Sequence, residues 1–282
     1  MNAAIRFCIY AAIGYGLLTL LVFFLQRRMI YFPDPDRPTP EILQAVGLQY
    51  WPAEGKRYKG FVDRAHPQTA RGTLIVFHGN AGAAWHREYY VRALKPLGYR
   101  VVLAEYPGYA GRPGTLSEAS LVKDAVDIIK EVRKAFEGPI YLLGESMGCG
   151  VAAAAAVWED ISTAGLILIT PWDSLPDLAQ SLYWYLPARF LTRDRFDSVT
   201  NLRAYSGPVA VAVAGRDEVI PKRHSMRLYG SLKAPKRLWI FEGAGHNSWP
   251  TDPGAAWWGE VMAFVAGDAS PSAGQGSTAL GR

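Results

Sequence analysis

The stretch Ile140-Tyr-Leu-Leu-Gly-Glu-Ser-Met-Gly148 joins a short apolar run to an alanine-rich segment that continues to about Trp158. The run predicts a buried strand, and the segment predicts a helix. Between them, Gly144-Glu-Ser-Met-Gly148 has the G-x-S-x-G pattern, whose glycines allow close packing around a sharp strand-to-helix turn. Such a turn lifts the serine hydroxyl above the sheet. The pattern therefore predicts Ser146 as a nucleophile, and the alternative is a glycine-rich turn with an idle serine.

Short β-branched runs alternate with helical stretches on both sides of this turn. Alternation of this kind is typical of an α/β fold, with a mostly parallel sheet covered by helices on both faces. Two weaker runs, at 49–51 and 61–64, predict an antiparallel start to the sheet. The other predicted strands are 73–77, 100–104, 140–143, 166–169, 209–213 and 238–241, and the predicted helices are 117–136, 147–158, 222–232 and 255–265.

Candidates for an acid and a base follow two later strands. Where a serine sits on such a turn, the chain order of the catalytic residues is serine, acid, histidine. Asp217 follows the strand at 209–213 and His246 follows the last strand, so both reach the sheet edge where parallel strands place their ligand crevice. Asp217 is preferred to Glu218 because it comes first after the glycine turn, but a slip of one residue stays open. We therefore predict Ser146, Asp217 and His246 as the catalytic residues.

The remaining histidines are expected to have other roles. His78 lies on the loop after the strand at 73–77 and is expected to brace that loop, because it is in the wrong place in the chain order to be the base. His66, His86 and His224 are expected at the surface.

Stabilising an oxyanion requires two backbone N–H groups. The first is expected from Met147, the residue after the nucleophile, and the second from Asn80 in the His78-Gly-Asn80 loop. A donor of this type contributes about 10²- to 10³-fold in rate.

The stretch between the strands at 166–169 and 209–213 is too long for a simple connection. It predicts a small cap at 171–207, rich in aromatic and aliphatic side chains. Trp172 and Trp184 in the cap, and Trp249 just beyond His246, are predicted to contact a substrate that carries an apolar group. The alternative, in which these side chains only pack the cap onto the domain, stays open.

The N-terminal stretch from Phe7 to Leu25 is apolar and uncharged, and it is bracketed by Arg6 and Arg27-Arg28. A helix of this length covers about 28 Å, enough to cross the hydrocarbon core of a bilayer. A cleaved signal peptide would need small residues at the end of the run, and none follows. We therefore predict a single-pass membrane anchor at 1–28. The arginine pair slightly favours a cytoplasmic domain.

Three further segments complete the predicted organisation. The proline-rich stretch from Phe32 to Pro40 predicts an extended spacer within a linker at 29–45. The globular domain is predicted at 46–267. The small and polar residues at 268–282 predict a disordered tail.

The composition is that of an ordinary globular protein, with 50% hydrophobic and 20% charged residues. The formal net charge of +5 comes from scattered Lys and Arg, so a membrane is expected as a partner and nucleic acid is not. Cys8 and Cys149 would have to pair between an anchor and a buried turn, so no disulfide is expected, and two cysteines exclude a thiolate zinc site. No metal or organic cofactor is expected, because a serine mechanism needs none.

Six stretches of the chain match motifs of one known family: Tyr31-Phe-Pro33, His78-Gly-Asn-Ala-Gly82, Tyr106-Pro-Gly-Tyr109, Gly144-Glu-Ser-Met-Gly-Cys149, Thr170-Pro-Trp-Asp-Ser174 and Gly243-Ala-Gly-His-Asn247. Together they resemble the α/β-hydrolase superfamily and, within it, the membrane-anchored α/β-hydrolase-domain serine hydrolases. The resemblance covers nearly the whole chain. It implies the α/β-hydrolase fold and the catalytic roles given above, but not a particular substrate.

Three functions follow as expectations. The first is a serine hydrolase that cleaves a carboxylic ester or thioester through an acyl-enzyme, with a small-molecule or lipid-like apolar acyl substrate. The second is a serine peptidase of the same fold. The third is a non-catalytic membrane scaffold, and the intact set of Ser146, Asp217 and His246 argues against it.

Overall fold

The computed structural model describes residues 2–55, 57–65, 67 and 69–268. Its main feature is an eight-stranded sheet, and a separate two-stranded pairing lies near the N-terminal helix. The strands are β1 Phe32–Pro33, β2 Leu48–Trp51, β3 Gly60–Asp63, β4 Thr73–Phe77, β5 Ala81–Gly82, β6 Arg100–Ala104, β7 Ile140–Glu145, β8 Gly165–Ile169, β9 Val209–Ala214 and β10 Lys236–Phe241.

Ten α-helices surround or extend from the sheet in the described ranges. They are α1 Ala3–Ile30, α2 Pro40–Ala45, α3 Glu88–Leu94, α4 Glu118–Ala135, α5 Met147–Ala156, α6 Leu175–Leu182, α7 Ala188–Leu191, α8 Ser198–Asn201, α9 Lys222–Ser231 and α10 Trp257–Ala266. Two short 3₁₀ helices, at Ala84–Arg87 and Lys95–Leu97, flank α3.

The large sheet has the order β10-β9-β8-β7-β4-β6-β3-β2. The strands from β10 to β6 run parallel, while β3 is antiparallel to both β6 and β2. Alternate side chains along each central strand face opposite sides, so the sheet carries two separate cores. Helices α4, α5 and α9 contribute to one core, and α3 and α10 contribute to the other. The predicted fold is therefore confirmed, with its parallel sheet, its antiparallel start and helices on both faces.

Helix α4 shows how the sequence determines these layers. Its apolar residues recur at helical spacing and are buried against the sheet, as the periodicity predicts. The side chain of Ser117 accepts a hydrogen bond from the N–H of Ser120 and caps the first turn. The helix ends at Ala135, before Gly138 and Pro139.

The segment at 29–45 has more regular structure than a spacer. Strand β1 pairs in parallel with β5, and Phe32 lies opposite Ala81. The short helix α2 begins at Pro40 and is capped by the side chain of Thr39. The stretch from Phe32 to Thr39 contains no helix, and α2 begins only at Pro40, because the first helical position needs no N–H donor and so tolerates proline.

Helix α1 is long and apolar enough to cross a membrane, with no part of its apolar window buried inside the protein. The predicted cap at 171–207 contains α6, α7 and α8 between β8 and β9. Cys8 and Cys149 are both free. The predicted tail at 268–282 lies outside the described residues except for Asp268, which pairs with Arg71.

Candidate active site

Ser146 occupies a strained turn between β7 and α5. Its φ is +53° and its ψ is −115°, a conformation that a non-glycine residue holds only when its surroundings impose it. The two flanking glycines allow this packing. A Cβ at Gly148 would lie 1.9 Å from the carbonyl oxygen of Phe77, and one at Gly144 would lie 2.5 Å from the Cα of Cys149. The motif therefore presents the serine at the carboxyl edge of the sheet.

The structure brings Ser146, His246 and Asp217 together. His246 Nε2 lies 3.1 Å from Ser146 Oγ, and His246 Nδ1 lies 2.8 Å from Asp217 Oδ2. Because an ionised carboxylate can only accept, Nδ1 carries the proton and Nε2 is free to accept the serine proton. Ser146 and His246 are both buried. This arrangement can activate a serine hydroxyl for attack.

Asp217 rather than Glu218 is the acid in contact with the imidazole. Its other oxygen, Oδ1, accepts hydrogen bonds from the N–H groups of Val219 at 2.9 Å and Ile220 at 2.7 Å, which fix the carboxylate in the loop after β9. Glu218 Oε2 instead accepts from the backbone N–H of His246 at 3.3 Å. Glu218 therefore contacts the loop that carries the histidine, while Asp217 contacts its ring.

Met147 and Asn80, the predicted oxyanion donors, line the same cavity as Ser146. In the part of the chain that the structure describes, neither backbone N–H donates to a backbone carbonyl. The Asn80 loop is held on three sides. Asn80 Nδ2 donates to the carbonyl of Ile30 at 2.7 Å, and its carbonyl accepts from the N–H of Phe32 at 2.9 Å and the hydroxyl of Tyr109 at 2.8 Å. Both predicted donors therefore belong to residues that line the cavity with Ser146.

Glu145, which sequence reasoning missed, anchors the turn that carries Ser146 to residues of the preceding helical segment. Its Oε2 accepts hydrogen bonds from the hydroxyls of Tyr89 and Tyr90, both at 2.9 Å, and its Oε1 pairs with Arg87 at 3.3 Å. Burial alone would raise the pKa of Glu145, but Arg87 and the tyrosine hydroxyls outweigh it, so the pKa is lowered. The carboxylate beside Ser146 is therefore held ionised by fixed partners.

His78 braces its loop through a buried pair with Glu105. Its Nε2 lies 3.0 Å from Glu105 Oε1, and its carbonyl accepts from the hydroxyl of Tyr106 at 2.8 Å. Glu105 Oε2 also accepts from the N–H of Ala84 at 2.9 Å. Among the described residues, the imidazole of His78 bonds to Glu105 and to the carbonyl of Gly79 rather than to Ser146.

His224 was expected at the surface, and that prediction was wrong. Only 1% of it is exposed, because the first turn of α9 packs beneath the cap. Its Nδ1 lies 2.8 Å from Asp173 Oδ1 and its Nε2 lies 2.9 Å from Ser181 Oγ, so it ties α6 to α9. Burial raises the pKa of Asp173, but the bond to His224 and other donors outweigh it, and the pKa is lowered. His86 is partly buried, and His66 lies outside the described residues.

A cavity of about 210 Å³ opens at Ser146. Apolar side chains dominate its lining, and none of the described residues that line it is charged. The lining residues are Val22, Gln26, Met29, Ile30, Asn80, Ser146, Met147, Trp172, Leu175, Leu178, Ala179, Leu182, Tyr183, Leu186, Ala188, Leu191, Thr192, Val219 and Ile220. The cap and the N-terminal helix thus form most of its wall. The sequence pattern of that helix predicted a membrane anchor but not a part in the cavity.

Of the three tryptophans predicted to contact substrate, only Trp172 lines the cavity. Trp184 is 80% exposed on the outside of the cap. Trp249 is buried against Tyr90 and Trp258, in the core between α3 and α10. Their positions in the sequence did not distinguish the inner face of the cap from its outer face or from the core. Within the described ranges, no group of three or more His, Cys, Asp or Glu is placed to hold a metal ion.

Sequence comparisons find similar proteins over most of the chain. A family model described as serine aminopeptidase, S33, matches residues 68–193. An uncharacterized protein of Mycobacterium tuberculosis is 32% identical over 249 residues, which cover 85% of this chain and 86% of that protein. The lysophosphatidylserine lipase ABHD12 of Macaca fascicularis is 28% identical over 228 residues, which cover 73% of this chain but 56% of that lipase. The chain thus matches little more than half the length of ABHD12.

Solved structures share the fold. An α/β hydrolase of Vibrio vulnificus superposes with a TM-score of 0.65 at 16% identity, covering 82% of this chain and 89% of that one. The esterase Pf2001 of Pyrococcus furiosus superposes with a TM-score of 0.62 at 16% identity, covering 84% and 97%. The fold and these relatives define a hydrolase of the α/β class. The chain belongs to the α/β-hydrolase superfamily.

Proposed function

We propose that this protein is a serine hydrolase that cleaves a carboxylic ester or thioester with an apolar acyl group. The observation that carries the proposal is the hydrogen-bonded series from Ser146 through His246 to Asp217, together with the apolar cavity that Ser146 lines. The esterase and lipase names among its relatives agree with this chemistry.

The reaction proceeds in two half-reactions. His246 Nε2 takes the proton of Ser146 as the serine Oγ attacks the acyl carbon, and the N–H groups of Met147 and Asn80 bind the oxyanion. The imidazolium, oriented by Asp217, then protonates the leaving alcohol or thiol, and an acyl-serine forms. Water, deprotonated by His246, attacks this ester in the same way and releases the acid.

The lining of the cavity favours an acyl substrate over a peptide. A peptidase that recognises a free amino terminus needs a carboxylate to pair with the ammonium group, and the lining residues provide none. The predominantly apolar wall instead suits a hydrocarbon chain. The intact geometry of the three residues likewise supports a catalyst over a scaffold.

Helix α1 is proposed as a membrane anchor that the folded protein retains. Its last turns are bonded to the cap through Gln26 and Arg27, so its removal as a signal peptide would strip contacts from the domain. A lipase name among the relatives makes a lysophospholipid a reasonable test substrate, although ABHD12 is matched over little more than half its length.

The test is hydrolysis of p-nitrophenyl esters from acetate to palmitate by the full chain in detergent, beside a palmitoyl thioester and lysophosphatidylserine. Ser146→Ala is expected to lose about 10⁶-fold in turnover on every substrate that is cleaved. The matched control is Ser162→Ala, which changes an exposed serine just before β8 and is expected to retain activity. Equal turnover by Ser146→Ala and the unaltered protein would refute the proposal.

A further inference from the structure

Helix α1 has one face that belongs to the domain. In its C-terminal half, the partly or fully buried residues are Thr19, Val22, Phe23, Gln26, Arg27 and Ile30. They recur at the three- and four-residue spacing of one helix face. The intervening residues, such as Leu21 and Phe24, are exposed. The helix thus presents one stripe to the domain and an apolar surface to its surroundings.

Polar contacts fix this helix in one orientation. Gln26 is 7% exposed, its Nε2 donates to the carbonyl of Leu191 at 3.0 Å, and its Oε1 accepts from the N–H of Arg193 at 2.8 Å. The next residue, Arg27, forms a two-pronged pair with buried Asp194 at 2.9 and 3.0 Å. Buried polar groups of this kind are costly unless bonded, so the register between α1 and the cap is specific.

The same face of α1 forms a wall of the cavity at Ser146. Val22, Gln26, Met29 and Ile30 line it, facing cap residues of α6 and α7. The carbonyl of Ile30 also accepts the side-chain hydrogen bond of Asn80. The end of α1 is therefore connected directly to the loop of the proposed oxyanion donor.

The cap reaches α1 well inside its apolar run. The hydroxyl of Tyr15 donates to the carbonyl of Tyr185 at 3.0 Å. Tyr15 lies ten residues before Leu25, where the apolar run ends, which is about 15 Å along the helix axis. Part of the cap thus lies beside the membrane-crossing length of α1 rather than beyond its end.

The cap carries exposed apolar side chains, two of which, Leu182 and Tyr183, also line the cavity. Trp184 is 80% exposed and Phe190 is 86% exposed, and Leu182, Tyr183 and Tyr185 are also exposed. We call Leu182, Tyr183, Trp184, Tyr185 and Phe190 the cap tip. Clustered exposed apolar side chains mark an interaction site for a membrane or a protein. The exposed side chains of neighbouring α1, such as Leu21 and Phe24, are apolar as well. Positive charge lies nearer the end of the apolar run, where the guanidinium of Arg193 covers the ring of Phe23 at 5.5 Å.

We propose that the cap tip inserts into the same bilayer leaflet as the C-terminal half of α1, and that the acyl chain of a bilayer-resident ester enters the cavity between them. Val22 and Met29 then contact the chain. This inference rests on the proposed function and names its substrate class, an ester lipid drawn sideways from the membrane. The anchor is thus part of the substrate-binding site.

The insertion is tested without reference to catalysis. In a Cys8→Ser background, Trp184→Cys in the full chain carries a fluorophore in phosphatidylcholine nanodiscs that contain acyl-chain spin-labelled lipid. Trp158→Cys is the matched control, since Trp158 is also exposed but follows the C-terminal end of α5, away from Ser146. We expect strong quenching at position 184 and little at 158. Equal, weak quenching at both would overturn the insertion.

The second test concerns the wall formed by α1. Val22→Trp adds volume at the cavity, whereas Leu21→Trp makes the same change on the exposed face of the next residue. In nanodiscs, Val22→Trp is expected to lower the ratio of kcat/KM for the palmitate ester to that for the acetate ester by about tenfold, and Leu21→Trp to leave it unchanged. An unchanged ratio in Val22→Trp would overturn the proposal that α1 forms a wall of the acyl-binding cavity. No hydrolysis by the unaltered protein would instead refute the proposed function and leave the quenching result to decide insertion.

Discussion

At the level of single residues, the sequence left two adjacent candidates for the carboxylate that orients His246. The sequence placed Asp217 and Glu218 on the same loop, and the preference for Asp217 came only from its place after the glycine turn. The structure distinguishes the two carboxylates by the hydrogen bonds that they form with His246. Asp217 accepts from the ring of His246, and Glu218 accepts from the backbone of that residue.

A pair of isosteric changes distinguishes these roles. Asp217→Asn is expected to lower kcat on an ester substrate by roughly 10⁴-fold, because an amide that donates towards Nδ1 stabilises the wrong imidazole tautomer. Glu218→Gln retains an oxygen that can accept the backbone N–H of His246, so a much smaller loss is expected. Steady-state kinetics of both variants measure this. A large loss of kcat in Glu218→Gln, with little change in Asp217→Asn, would instead assign Glu218 as the carboxylate that orients His246.

The residues that sequence reasoning placed well are those with a fixed position relative to a strand end. Ser146, Asp217 and His246 each follow a strand, and strand ends converge at one sheet edge. Trp184, Trp249 and His224 lack such a reference. The burial of Trp184 and His224 depends on which face of the cap or of α9 meets the rest of the protein, and that of Trp249 on how its loop packs against α3 and α10. A local pattern does not encode these contacts.

At the level of elements, the junction of β7 and α5 depends on the contact between Gly148 and the end of β4. Gly148→Ala would place a Cβ 1.9 Å from the carbonyl oxygen of Phe77, so the helix or the strand must move. We expect a loss of about 3 kcal/mol in stability, with loss of activity, because the same turn holds Ser146. The matched control is Gly259→Ala in α10, where a Cβ meets no atom within 4 Å. A gain of about 0.5–1 kcal/mol is expected there.

Thermal unfolding of the full chain in detergent measures both glycine variants. The midpoint should fall for Gly148→Ala and stay level or rise for Gly259→Ala. A Gly148→Ala protein with the midpoint and activity of the unaltered chain would contradict the close contact.

The elements themselves were predictable to different degrees. Strands β4 to β10, apart from the two-residue β5, have β-branched or aliphatic runs and were predicted almost to the residue, since buried parallel strands carry a strong local signal. Strand β1 and helix α2 are short, and their formation depends on contacts with β5 and on capping by Thr39. The domain-facing stripe of α1 was not predictable, because the helix is apolar on every side and has no amphipathic period to read.

At the level of the whole molecule, the hydrolase domain and the N-terminal helix are packed and bonded together. The sequence treats them as separate parts, an anchor at 1–28 and a domain at 46–267. In the structure, α1 lines the cavity, pairs with the cap and accepts a hydrogen bond from Asn80. A fragment that lacks α1 would therefore lose a wall of the proposed acyl site as well as the proposed membrane anchor, so assays belong on the full chain.

The central claim is that Ser146 is the nucleophile, and covalent trapping tests it most directly. The full chain is treated with a long-chain alkyl fluorophosphonate, which phosphonylates an activated serine with loss of fluoride, and its peptides are mapped by mass spectrometry. We predict one modified peptide, with the adduct on Ser146, and no adduct in Ser146→Ala. A folded protein that takes up no label, or that carries it on another residue, would contradict the account.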